Sequence, residues 1–143
     1  MKPITINDYF TDFVTKQDRR KLYPNEFTDE IQTNAEELLE KVNAFLTELS
    51  VESAQVTSGW RPESVNVKIT NAAKKSAHMI GKAVDILDNK NQDLVQLVAN
   101  HPNLLRKYGL FMEDMNSTRG KNTNWLHLDV MARSDRPSRT FLP

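Results

Sequence analysis

The chain has 143 residues, enough for one domain with a core of its own. Lys plus Arg and Asp plus Glu stand at 19 each, so no basic field points to nucleic acid and no acidic excess points to a solvating tail. Cysteine is absent, which excludes disulfides and thiolate chemistry and leaves a metal site to His, Asp and Glu.

The opening "MKPITINDYFTDF" lacks a continuous apolar core of signal-peptide length, and no other stretch is long enough to span a membrane. The expectation is a chain made in the cytoplasm without membrane insertion. The first clear element is "TDEIQTNAEELLEKVNAFLTELS". Ile31, Ala35, Leu38, Val42, Phe45 and Leu49 alternate at spacings of four and three, which lines one face of a helix for core packing. Thr28 or Asp29 suits its N-cap, and acidic residues fill the first turn, where the helix dipole favours them.

"AQVTSGW" is short, β-prone and closed by a Ser-Gly turn signal. "KAVDILD" predicts a strand with Ala83, Asp85 and Leu87 on one side and Val84 and Ile86 on the other. "NQDLVQLVANH" predicts a helix stopped at Pro102, and "YGLFMED" and "NWLHLDVMA" predict two more strands. The polar, Gly-containing "MNSTRGKNT" joins them. The locally basic "MARSDRPSRTFLP" reads as a solvated tail. No internal repeat and no regular βαβ alternation appear. The predicted fold class is α+β, a small, largely antiparallel sheet packed against helices, in a single domain over residues 1–143.

The chemistry concentrates in "SAHMIGKAVD" and "NWLHLDV". His78 precedes the strand that carries Asp85, and Gly81 can bend the backbone between them. His127 and Asp129 share one face of their strand, with Trp125 beside them. If the two strands are neighbours, His78, Asp85 and His127 converge. Two imidazoles and a carboxylate give a divalent ion three ligands and leave a fourth position open, the pattern of a catalytic zinc site. Asp85 sits between apolar residues, where a carboxylate is costly unless paired, hydrogen-bonded or bound to metal. Asp129 suits the partner that orients a ligating imidazole.

"SAHMIGKAVD" resembles the Ser-x-His-x-x-Gly-x-Ala-x-Asp signature of the M15 zinc peptidases, the D-alanyl-D-alanine carboxypeptidases and phage endolysins, and in particular the C-terminal type of that family's subfamily A. Ser76, His78, Gly81, Ala83 and Asp85 fill every fixed position. "TSGWRPESVN" is similar to the family's Ser-Gly-Tyr-Arg-x-x-x-x-Asn segment, with Trp60 in place of Tyr, and "NWLHLDV" resembles its Trp-x-His strand. The resemblance runs from about Asn25 to Val130. It implies a hedgehog and DD-peptidase type of fold and one Zn²⁺ per chain, held by His78, Asp85 and His127. It further implies that Arg61 holds the substrate's carboxylate or polarises its carbonyl, and that Ser76, Trp60 and Trp125 support the site or the substrate. The attacking group is then a metal-activated water, and Ser76 is no nucleophile.

One position departs from the pattern. Many members carry an acid three residues before the last His, and here that residue is Asn124. In another branch the acid lies on the preceding strand, so Glu113 is the expected general base, followed by Asp114. The implied substrate is a peptidoglycan stem peptide. The implied setting is a phage- or prophage-encoded monomer acting at the cell wall, with no nucleic-acid partner. Two other readings stay open: a zinc-stabilised binding or virion-associated module that has lost its base, and a metal-free domain with structural histidines.

Overall fold

The computed structural model describes residues 1–69, 72–114 and 124–142. Two short helices, α1 (Ile6–Phe10) and α2 (Arg19–Leu22), precede the long α3 (Asp29–Glu48). Each starts at a polar cap. Thr5 and Asp8 form a reciprocal capping box on α1, Asp18 accepts the Arg20 N–H on α2, and Thr28 accepts the Ile31 N–H at 3.2 Å on α3. The predicted stripe on α3 is buried from Ile31 to Phe45, and Leu39 and Leu46 widen it to a broad face.

Next come β1 (Val56–Ser58), α4 (Glu63–Asn66), a single 3₁₀ turn (Ala77–Ile80) and β2 (Ala83–Leu87). Helices α5 (Asp93–Ala99) and α6 (Pro102–Lys107) follow, then β3 (Phe111–Glu113), β4 (Trp125–Asp129) and β5 (Thr140–Phe141). The sheet order is β1-β2-β4-β3-β5, antiparallel throughout except for the β3–β5 edge pair. This is the α+β arrangement read from the sequence. No helix of the described residues is long and apolar enough to cross a membrane.

Alternation divides the two central strands cleanly. Val84 and Ile86 of β2, with Leu126 and Leu128 of β4, are fully buried in one core with Leu38, Val42, Phe45 and Leu46 of α3. The opposite face carries Asp85 and His127, which are register partners. The core therefore fixes which side of the sheet receives the polar residues.

The structure departs from expectation in two places. The helix over "NQDLVQLVANH" does stop ahead of Pro102, at Ala99, but Pro102 also opens a helix that was not expected, α6, where its missing N–H costs nothing and its fixed φ suits the first turn. The C-terminal segment is not a solvated tail. Thr140 and Phe141 pair with β3, the Arg139 carbonyl accepts the Met112 N–H at 3.0 Å, and Arg139 is buried over the Phe111 ring. Arg133 and Arg139 are held by aromatic faces and carboxylates, which charge counting does not register. The "MNSTRGKNT" connection lies outside the described residues.

Candidate metal centre

The site starts at the 3₁₀ turn. Ser76 caps it, and its Oγ accepts the His78 N–H at 3.2 Å and an Arg61 Nη2 donor at 3.1 Å. Gly81 ends it in the left-handed region at φ +77°, where a Cβ would lie 2.7 Å from the Ile31 carbonyl oxygen of α3. Gly81 is thus no loose hinge. It is a fixed turn pressed against the long helix, and it delivers the chain from His78 into β2.

The imidazole of His78 is buried, and its Nδ1 lies 2.8 Å from the carbonyl oxygen of Gly59. A carbonyl only accepts, so Nδ1 carries the proton and Nε2 turns a lone pair inward. That Nε2 lies 3.2 Å from Asp85 Oδ1. Across the β2–β4 pairing, His127 Nδ1 lies 2.9 Å from the same oxygen. On its outer side His127 Nε2 meets Asp129 Oδ2 at 2.8 Å. Each imidazole is therefore tied from outside by an acceptor while its other nitrogen faces Asp85.

The donor set fits a divalent ion. One atom from each of His78, Asp85 and His127 lies within 4.8 Å of the others. Donors on a zinc tetrahedron with bonds of about 2.1 Å stand about 3.4 Å apart, and the two separations from Asp85 Oδ1, 3.2 and 2.9 Å, are close to that edge. The outer partners, a backbone carbonyl and a carboxylate, are the kind that fix the tautomer of a ligating histidine.

Electrostatics agree. Burial would raise the Asp85 carboxyl, but the two imidazoles beside it hold it far below the ordinary range. Burial pushes His78 down, and Asp85 only partly opposes this. His127 faces two carboxylates: burial works against its charge, yet the hydrogen bonds it donates to Asp129 and Asp85 push it up to about 10. Without metal, the two carboxylates favour the protonated form of His127.

The other expected residues divide. Arg61 follows β1, and its backbone N–H is bound to the His78 carbonyl at 3.0 Å. Trp60 is fully buried against Phe10 and Phe27, and its indole N–H donates to the Met79 carbonyl at 3.0 Å. It supports the 3₁₀ turn from beneath and offers no face to a substrate. Trp125 is half-buried on the face of β4 that carries His127. The β3–β4 register pairs Phe111 with Asp129. Continued along β3 it puts Glu113 on the face of His127, one strand over, while Asp114 leaves the strand, its N–H bound to Phe141. Asn124 is exposed, and its carbonyl accepts the Asp88 N–H at 2.7 Å.

Sequence reasoning missed three contributors. The Tyr9 hydroxyl donates to the Ala83 carbonyl at 2.8 Å and anchors α1 to the start of β2. Asp88 accepts the Leu94 and Val95 N–H groups, both at 2.9 Å, and so caps α5 from outside the helix. Arg133 contacts both oxygens of Asp129, through Nη1 and, at 3.1 Å, through Nη2. None carries a motif; each acts through a fold contact.

A family model described as Peptidase M15 matches residues 22–129, more than half of the chain. No curated protein and no solved structure matches it.

Proposed function

The chain belongs to the peptidase M15 family, and from that premise we propose a zinc metallopeptidase that hydrolyses peptide bonds in peptidoglycan stem peptides. It would act as a D-Ala-D-Ala carboxypeptidase or as a D,D- or L,D-endopeptidase. The observation that carries this reading is the convergence of His78 Nε2, Asp85 Oδ1 and His127 Nδ1 on one point. When bound there, zinc polarises the scissile carbonyl and acidifies the attacking water.

The chain's own residues supply the rest. Glu113, on the face of His127, takes the proton of the attacking water and passes it to the leaving amine. Asp114 is the next candidate for that proton. Arg61, steadied by Ser76, receives the terminal carboxylate or the acyl oxygen of the substrate, since its planar fork matches a carboxylate. Trp125 lines the approach on the same strand face, and Trp60 supports from beneath. The reading places a phage- or prophage-encoded monomer at the cell wall, with no nucleic-acid partner.

Asn124 favours a second reading, a zinc-binding module without efficient hydrolysis, because an amide takes no proton where many members carry an acid. One experiment separates the two. Zinc-loaded protein is incubated with purified muropeptides and the products are weighed by mass spectrometry. Loss of a terminal D-Ala or cleavage of a cross-link supports the peptidase, and intact muropeptides beside stoichiometric zinc support the module.

A further inference from the structure

The segment after β4 reaches back to the metal centre from beyond the family match, which ends at residue 129. Asp129 is fully buried, and both its carboxylate oxygens are engaged. Oδ1 accepts from Arg133 Nη1 and from the Met131 N–H at 3.2 Å; Oδ2 accepts from Arg133 Nη2 at 3.1 Å and meets His127 Nε2 at 2.8 Å. The guanidinium is itself held. Its carbon lies 3.6 Å from the centre of the Phe141 ring and 5.4 Å from that of Phe111. Phe141 also sets its ring edge-on to His127, with centroids 5.6 Å apart. The chain of contacts runs from β5 through Arg133 and Asp129 to His127.

We propose that Arg133 is a positioning residue of the metal centre. By pinning both oxygens of Asp129 it holds His127 with its Nε2–H outward and its Nδ1 toward Asp85, where loss of the Nδ1 proton would present a lone pair to a metal. A single hydrogen bond leaves a carboxylate free to rotate about its Cβ–Cγ bond. A two-point guanidinium contact fixes its plane, and the plane fixes the direction from which His127 Nε2 is held. The inference rests on the metal reading of the site and adds a residue to it.

The test measures the zinc dissociation constant by chelator competition, with no substrate present, in wild type, Arg133→Gln, Arg133→Lys, Asp129→Asn, the Asp129→Asn/Arg133→Gln double variant and Arg139→Gln. Far-UV circular dichroism confirms that each is folded. Loss of an outer partner typically weakens metal binding about 10–100-fold. Arg133→Gln should fall in that range, Arg133→Lys should recover part of the loss, and the double variant should be no weaker than Asp129→Asn alone. Arg139→Gln is the control. It loses bonds to Leu110 and Asp135 and the stack on Phe111 in the same segment, but has no contact with Asp129. It should keep wild-type affinity if folded. Wild-type affinity in folded Arg133→Gln, or an equal loss in Arg139→Gln, overturns the role of Arg133. If folded Arg139→Gln cannot be obtained, additive losses in the double variant overturn it instead. A wild-type protein that takes up no zinc overturns the metal reading itself, a separate outcome.

Discussion

The backbone of Gly59 touches that of Tyr9 so closely that a Cβ on Gly59 would stand 1.9 Å from the Tyr9 carbonyl oxygen. The same glycine offers its own carbonyl to His78 Nδ1 at 2.8 Å. One residue therefore lets α1 close on the sheet and sets the tautomer of a candidate ligand. Gly59→Ala should cost at least about 1–3 kcal/mol, the usual range for an overpacked interior. It should also weaken zinc binding, since the Gly59 carbonyl must move with its backbone. Urea denaturation and zinc titration check both; an alanine variant with unchanged midpoint and affinity would contradict the packing.

Replacing His78 and His127 together by Ala removes both nitrogen donors. The purified variant should hold no stoichiometric zinc by elemental analysis. Added zinc should raise the melting temperature of the wild type alone, by a stabilisation of about 2.7 kcal/mol at a hundredfold excess over the dissociation constant. Full zinc occupancy in the double variant would remove the ligand assignment.

Protonation of His127 gives a pH signature. Burial disfavours its charge, but Asp129 and Asp85 outweigh this and raise it from the ordinary 6.5 to about 10 in the metal-free protein. A raised value stabilises the fold fully below about pH 6.5, and that contribution is lost as pH climbs toward 10. The stability advantage of metal-free wild type over His127→Gln should therefore shrink across this window. Zinc must displace the same proton, so its uptake near neutrality should release about one proton. Calorimetry in buffers of different ionisation enthalpy measures that release. A proton count of zero would argue against His127 Nδ1 as a donor.

For Glu113 the expected outcome is a separation of binding from turnover. Glu113→Gln should retain zinc and fold while hydrolysis of a stem peptide drops by about two to four decades, the span typical of a lost general base. Wild-type turnover in the zinc-loaded variant would move the search to Asp114.

Arg61 should be sensitive to shape as well as charge. Losing a charge-assisted hydrogen bond costs about 1.5–3 kcal/mol, so Arg61→Ala should lower kcat/KM roughly ten- to hundredfold. Arg61→Lys should restore only part of it, because a point charge does not replace a two-point fork. Unchanged kcat/KM in Arg61→Ala would end its substrate role.

What could be read from the chain beforehand follows the range of the interactions. The face of α3 and the alternation of β2 and β4 lie in local patterns and stand as expected, and the pairing of β2 with β4 brings His78, Asp85 and His127 within 4.8 Å of one another. Contacts decided by tertiary closure were hidden. Tyr9 meets Ala83 across 74 positions, and Arg106 meets Asp135 across 29. Arg133 looked like surface charge because its partners, Asp129 and two phenylalanine rings, converge only when β5 pairs with β3. Trp60 stood in a motif, but the pattern did not reveal that its ring faces inward.

Asp85 and His127 meet across 42 positions, and α5, α6 and β3 lie within the interval. The entropy of closing such a loop grows only logarithmically, by about 0.6 kcal/mol for each doubling of its length. Lineages can therefore lengthen or shorten the turns of this excursion at small cost while the donor trio stays in register. Val95, Val98 and Leu105 are buried in the shared core and restrain the helices themselves. A change in length should accordingly cost less in the turns between them than within the helices.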